Sequence, residues 1–269
     1  MINFDLTSDE VYYGNEANWQ YMGVSQYKDF RKCEAAALAK LNGDWEPTSN
    51  PKALLVGNYV HSYFESKEAH QTFKEKNEAE LNSKRKPYGL LKDFKVADTM
   101  IERIKDEPLF NYLWHGQHEE VVTGELFGLE WKGKIDLLNV EKGYFIDLKT
   151  TAQLDKRFWN ENYGGYVSFI EEYGYALQMA VYETLLEKQY GKTFTGYIYA
   201  VTKEEIPNVA AIDIEKRKKE FELKLLEENL DRVEKVKTGQ VEPEMCGKCE
   251  YCRGNKRLSN FIMSDELIR

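Results

Sequence analysis

Apolar positions along the chain change their period several times, and the changes mark out the elements. From Ser25, which suits a helix N-cap, Tyr27, Phe30, Ala37, Leu38 and Leu41 recur at a mostly helical spacing and predict a helix to about Leu41, stopped by Asn42-Gly43. A second helix is predicted from Pro51 through Glu65, and a third from about Leu90 to Lys105, broken at Glu107-Pro108. The pattern then turns to strands. Glu119–Gly124 forms one, Phe127–Lys132 leads into a second that carries Asp136, and Tyr144–Lys149 forms a third. Lys142-Gly143 supplies the turn of a hairpin between the last two. A helix over Tyr166–Tyr190, a strand over Phe194–Val201, a short strand over 209–214 and a charged helix over 215–237 complete the series. The order helix, three strands, helix, strand predicts an α/β (α+β) fold with a mixed sheet flanked by helices. No repeat or low-complexity linker divides it, so residues 1–269 are expected to form a single domain with its core at about 54–214.

Length and composition narrow the class. The chain has 269 residues, 42% of them hydrophobic, with 18 tyrosines, enough to bury a sizeable core. No apolar run reaches the length of a membrane span, and Met1–Asp5 lacks the basic and apolar parts of a signal peptide. We therefore expect a cytoplasmic protein without membrane contact. The formal net charge of −9 argues against a strongly basic nucleic-acid binder, yet it leaves room for a local basic groove.

The chemistry concentrates in the Gly133–Lys149 hairpin. Asp136 and Asp147 lie eleven positions apart, one per strand, so the hairpin can bring both carboxylates to one end of the sheet. Lys149, two residues after Asp147, shares its face. An Asp-x-Lys pair alone is usually a solvated strand face. Here it follows the apolar run Tyr144-Phe145-Ile146, where charges are costly unless something binds them. Two carboxylates and an ammonium suit a hard cation acting on a phosphate. Alternation allows one of Glu119 and Glu120 onto this face, and Glu120 is favoured. His61 and Glu65 share one helix face, and Gln178 and Tyr182 share another. Either pair would also be ordinary on an amphipathic helix.

Cys246, Cys249 and Cys252 form a second constellation, and Cys33 is the fourth cysteine. In a reducing compartment this spacing points to a metal rather than disulfides, and four thiolates suit a [4Fe–4S] cluster or a closed Zn²⁺ site. Zinc usually takes paired ligands, so iron–sulfur is favoured. Arg253, Lys256 and Arg257 next to it suit a DNA backbone or a solvated tail equally. Lys84-Arg85-Lys86 reads as solvated surface.

Gly57-x-x-x-His61, Gly133-x-x-Asp136, Asp147-x-Lys149 and Gln178-x-x-x-Tyr182, in that order, resemble the RecB-type branch of the PD-(D/E)XK nuclease superfamily. The resemblance implies a restriction-endonuclease-like core with α-β-β-β-α-β order. It implies that Asp136, Asp147 and the Leu148 carbonyl hold Mg²⁺ or Mn²⁺, that His61 and Glu120 add ligands, that Lys149 acts on the attacking water, and that Gln178 and Tyr182 orient DNA or the lysine. A cysteine before the core and three in the tail (240–269) resemble the iron–sulfur staple of AddB-type nucleases. Size and tail resemble the RecE-like exonucleases of phages and prophages. This implies DNA as substrate, recombination as context in a bacterial cell, and a single-strand annealing partner protein. Some relatives form homo-oligomeric rings, for which no interface is readable here. The alternatives are a non-catalytic DNA-binding or scaffold subunit on the same fold, a zinc-dependent nucleic-acid-binding module, and a structure-specific endonuclease.

Overall fold

The computed structural model describes residues 4–48, 52–258 and 261–267. Two helices, α1 (Val24–Lys32) and α2 (Glu34–Asn42), stand where one was predicted. The break is Cys33, whose backbone is extended (φ −165°, ψ 105°). Gly23, not Ser25, precedes the first turn. Helix α3 (Lys52–Glu65) matches its prediction, although Pro51, the expected start, lies outside the described residues. Helix α4 (Lys92–Lys105) follows. Pro108 ends nothing further; it occupies the first turn of the next short helix, Pro108–Leu113, where a missing N–H costs little.

The strands are β1 (Gln117–Leu126), β2 (Leu129–Asn139), β3 (Tyr144–Thr151), β4 (Thr195–Thr202) and β5 (Val209–Asp213). They form one sheet in the order β1-β2-β3-β4-β5. All neighbours are antiparallel except β3 and β4, which are parallel, with Asp147 beside Ile198 and Lys149 beside Ala200. A parallel pair needs a crossover, and α5 (Tyr175–Tyr190) supplies it. The predicted helix start at Tyr166 is too early. Gly165–Val167 is a strand paired with Phe158–Asn160, Phe169–Glu172 is a separate short helix, and Gly174 in a left-handed conformation (φ 67°) precedes α5. Helix α6 (Lys216–Lys237) and the short α7 (Glu250–Asn255) close the chain.

Alternation along β3 and β4 sorts side chains into two layers. Phe145, Ile198 and Ala200 pack with Met179, Leu185, Leu226 and Leu230 from α5 and α6. Tyr144, Ile146, Leu148, Tyr199 and Val201 pack with Val56, Val60, Phe94 and Met100 from α3 and α4. Among the described residues, no helix is long and apolar enough to cross a membrane.

Candidate active site

The sheet is regular except at one place. Ile135 belongs to the α5–α6 layer and Leu137 to the α3–α4 layer, two positions on, so alternation resets at Asp136. Glu119 stands opposite, between the pairs His118↔Leu137 and Glu120↔Ile135, and has a left-handed backbone (φ 53°). A non-glycine residue in that region is uncommon and marks local strain. The reset carries Glu119 into the cleft and leaves Glu120 opposite buried Ile135. This corrects the expectation that Glu120 faces the site, because plain alternation does not hold across a left-handed residue.

The cleft, about 1260 Å³, is lined by His61, Glu65, Glu119, Asp136, Asp147, Lys149 and Gln178 among others. His61 Nδ1 lies 3.3 Å from Asp136 Oδ2, which also accepts the Leu148 N–H at 2.6 Å. Asp147 is 1% exposed. Its Oδ1 accepts Gln178 Nε2 at 2.7 Å, and its Oδ2 forms an ion pair with Lys149 Nζ. That Oδ2 is buried and has no partner in hydrogen-bond geometry. Lys149 Nζ also rests 4.9 Å from the centre of the Tyr175 ring. The four motifs thus converge, and Glu65, on the His61 face of α3, joins them.

The two glycines that open motifs act by close approach. A Cβ at Gly57 would lie 3.2 Å from Thr150 Oγ1, so glycine there lets α3 settle on β3. A Cβ at Gly133 would lie 2.4 Å from Tyr182 Cε1. Tyr182 therefore packs where Gly133 has no side chain, and these motif residues interlock.

Electrostatics separate the carboxylates. Burial would raise Asp136, but the His61 and Lys149 charges and the Leu148 N–H outweigh it and hold its carboxyl below the usual range. Burial raises Asp147, the Asp136 charge adds to this, and Lys149 limits it. Burial, with Asp136 adding, pushes Glu119 up to about 7. Lys149 and His61 are both raised, because the neighbouring carboxylates overcome burial. A buried carboxylate, a second carboxylate and an imidazole in one cleft are donor types that a divalent cation takes. His61, Asp136 and Asp147 supply those donor types, and Glu119 and Glu65 line the same cleft.

Four contributors were not read from the sequence. Tyr175 underlies Lys149, and its signal was its place three residues before Gln178. Lys28 of α1 donates to the Tyr173 carbonyl at 2.8 Å and lies 5.8 Å from the Tyr175 ring. Burial and the Lys149 charge push it down to about 8. Asp9 pairs with Lys134 beside Glu119. Neither Lys28 nor Asp9 belongs to a readable motif, and Lys134 fills an unspecified position of Gly133-x-x-Asp136.

The cysteines also meet. All four Sγ atoms lie within 4.8 Å of one another, with Cys33 to Cys252 at 3.5 Å and Cys246 to Cys252 at 3.9 Å. No disulfide joins them. N–H groups of Lys248 and Cys249 point at Cys246 Sγ and lower its pKa to about 6. Four cysteine sulfurs brought together, one of them readily ionised, fit a bound metal.

A five-stranded mixed sheet between helices, with Asp136, Asp147 and Lys149 together at the break in its edge pair, defines a PD-(D/E)XK-like nuclease fold. Residues 23–255 match the family described as PDDEXK-like domain of unknown function (DUF3799), and the chain belongs to that family. A crystal structure from Eubacterium rectale, described as a candidate exonuclease, is 35% identical, with 100% of this chain and 99% of that chain covered and a TM-score of 0.90. The structure of SSO0001 aligns over 86% of this chain and 95% of that one at 14% identity, with a TM-score of 0.29. No curated protein matches the chain.

Proposed function

We propose that the protein is a Mg²⁺- or Mn²⁺-dependent deoxyribonuclease that removes nucleotides from the ends of linear DNA. The observation that carries this reading is the buried Asp147 carboxylate, ion-paired to Lys149, in one cleft with Asp136 and its partner His61. The bound ion supplies a nucleophile near neutral pH and charge at the leaving oxygen. His61, Asp136 and Asp147 hold it, and the Leu148 carbonyl is a further donor in this reading. Gln178 fixes the Asp147 carboxylate through its other oxygen. Lys149, held cationic, offsets charge gained by the phosphate and orients the water. Tyr182 keeps α5 seated against β2 through Gly133. Glu119 takes the outer-ligand role expected of Glu120.

The Eubacterium rectale relative supports the exonuclease mode. The cysteines hold a structural metal. Residue spacing favours [4Fe–4S]. Sulfurs within 4.8 Å favour a single Zn²⁺, since four thiolates about 2.3 Å from one tetrahedral ion stand about 3.8 Å apart. A role in phage-type recombination, with a single-strand annealing partner and homo-oligomerisation, completes the proposal.

The test is cleavage of end-labelled linear duplex and of a covalently closed circle with Mg²⁺ or Mn²⁺, beside Asp147→Ala. Loss of label from linear DNA alone, abolished by the substitution, supports the exonuclease. A cut circle points to an endonuclease. No cleavage by metal-replete protein points to a binding or scaffold subunit.

A further inference from the structure

The segment from Thr151 to Ser168 joins the strand bearing Asp147 and Lys149 to the helices leading to Gln178, and the chemistry above does not use it. Phe158–Asn160 and Gly165–Val167 form a short antiparallel hairpin with Trp159 directly opposite Tyr166. These two are 61% and 70% exposed. Their rings meet edge to face, 5.5 Å between centroids at 80°, which leaves broad ring faces open to solvent.

We propose that this hairpin is a stacking platform for unpaired nucleobases of a DNA strand entering the cleft, an inference that rests on the nuclease reading. The platform is continuous with the site. On the hairpin's other face Phe158 packs on Tyr173 at 5.6 Å, Tyr173 contacts Tyr175 at 6.0 Å, and Tyr175 lies beneath Lys149 Nζ. Tyr173 is itself 45% exposed and lines the cleft. An aromatic run therefore leads from the hairpin to the reacting end of the sheet.

The charges suit a polyanion. Lys156 sits 4.9 Å over the Phe158 ring, and Arg157 beside it is exposed and pairs with no carboxylate among the described residues. Asp155 and Glu161 are the acids of the same loop, while Glu172 accepts from Asn160 at 3.4 Å. Aromatic faces next to backbone-directed cations bind single strands with little sequence preference, because every base has a π-face. Stacked bases inside a duplex have their faces covered. Open rings at this place therefore fit bases already splayed from a partner strand. A single exposed aromatic is ordinary, whereas two side by side, continuous with a third, form a patch.

A cross-strand aromatic pair also stabilises a hairpin by itself, and the experiment separates the roles. The probes are fluorescein-labelled oligothymidylate of about 12 nucleotides and an abasic oligomer of equal length and charge. They are titrated by anisotropy against full-length Asp147→Ala protein, which leaves them uncut. The expected result is an affinity for the base-bearing probe about 5- to 150-fold above the abasic one. Trp159→Ala with Tyr166→Ala should remove that preference and leave abasic binding unchanged, while Trp159→Phe keeps most of it. With the double variant, the platform is overturned if the preference is kept or if both probes are weakened equally. Equal binding of both probes by the parent overturns the platform alone. Binding of neither probe also overturns the platform, whereas the nuclease reading is overturned by absence of cleavage of linear duplex by the unsubstituted, metal-replete protein.

Discussion

Replacing Gly133 by alanine tests whether the two motifs that flank the hairpin form one packed unit. The added Cβ would stand 2.4 Å from Tyr182 Cε1 and 2.9 Å from Cδ1 and Cζ, against an ordinary contact of about 3.4–4 Å. The ring must give way by about 1 Å. It is 7% exposed and packs against Phe145, and the open space beside it is the cleft itself, so a displaced ring intrudes on the site. Overpacking of this kind costs about 1–3 kcal/mol. At about 2–4 °C per kcal/mol in a chain of this size, the melting temperature should fall by roughly 2–12 °C. Activity should fall further. Tyr182 is one turn from Gln178, which holds Asp147 Oδ1 at 2.7 Å, and a 1 Å misplacement costs about a hundredfold in rate. The assay is urea unfolding and turnover for Gly133→Ala, alone and with Tyr182→Leu, whose shorter side chain frees the space. The double variant should recover most of the stability lost to alanine, though not the activity. If alanine costs the same in both backgrounds, the interlock does not exist.

Glu119→Gln should stabilise the metal-free protein at pH 8 and not at pH 5. Burial and Asp136 raise Glu119 to about 7, so its contribution is fully present below the unfolded value near 4.5 and is lost as pH rises through about 7. Removing the charge should return up to about 3 kcal/mol, read as melting temperature against pH. Cys33→Ser or Cys252→Ser should yield protein without the cysteine-bound metal and with a C-terminal segment open to protease, checked by elemental analysis and limited proteolysis. Tyr175→Ala should lower turnover about tenfold by removing the ring beneath Lys149, and Tyr175→Phe should retain it.

The sheet was legible because its strands have clean boundaries: apolar runs end at Lys142-Gly143, and the crossover helix carries a long apolar stretch. The convergence of His61, Asp136, Asp147, Lys149 and Gln178 was legible because each sits on a helix or strand at a motif spacing. Expectation and structure part where local geometry is irregular. Glu120 was preferred over Glu119 because period-two alternation cannot anticipate a left-handed residue opposite Asp136. The break at Cys33 was hidden because Ala35–Leu41 continues an apolar helical pattern while the bend is set by a sulfur contact 219 positions away. The Phe158–Val167 hairpin was partly absorbed into a predicted helix, since three-residue strands carry too few positions to show alternation. Lys28 and Asp9 reach the site only through tertiary packing, and nothing near them in sequence points there.

The Cys33 break has a consequence for Lys149. It ends α1 at Lys32, and the thiol then meets Cys252 while Ala35 N–H donates to the Glu244 carbonyl at 3.1 Å. Arg232 of α6 holds Glu34 through two hydrogen bonds, at 2.6 and 2.8 Å. The C-terminal segment thereby fixes the end of α1. Five residues back, Lys28 reaches the Tyr173 carbonyl with its stem against Gly174, where a Cβ would meet Lys28 Cδ at 2.8 Å. Tyr173 and Gly174 lead directly into Tyr175, the ring under Lys149. A metal that pins Cys33 thus braces the platform of the lysine from outside the cleft. Lys28→Ala should then lower turnover about as much as Cys252→Ser, while keeping the cysteine-bound metal. Together the two should cost little more than either alone, as expected of residues acting through one contact chain. Losses that multiply would show that the cysteine site and the lysine platform act independently, and the bracing argument would fail.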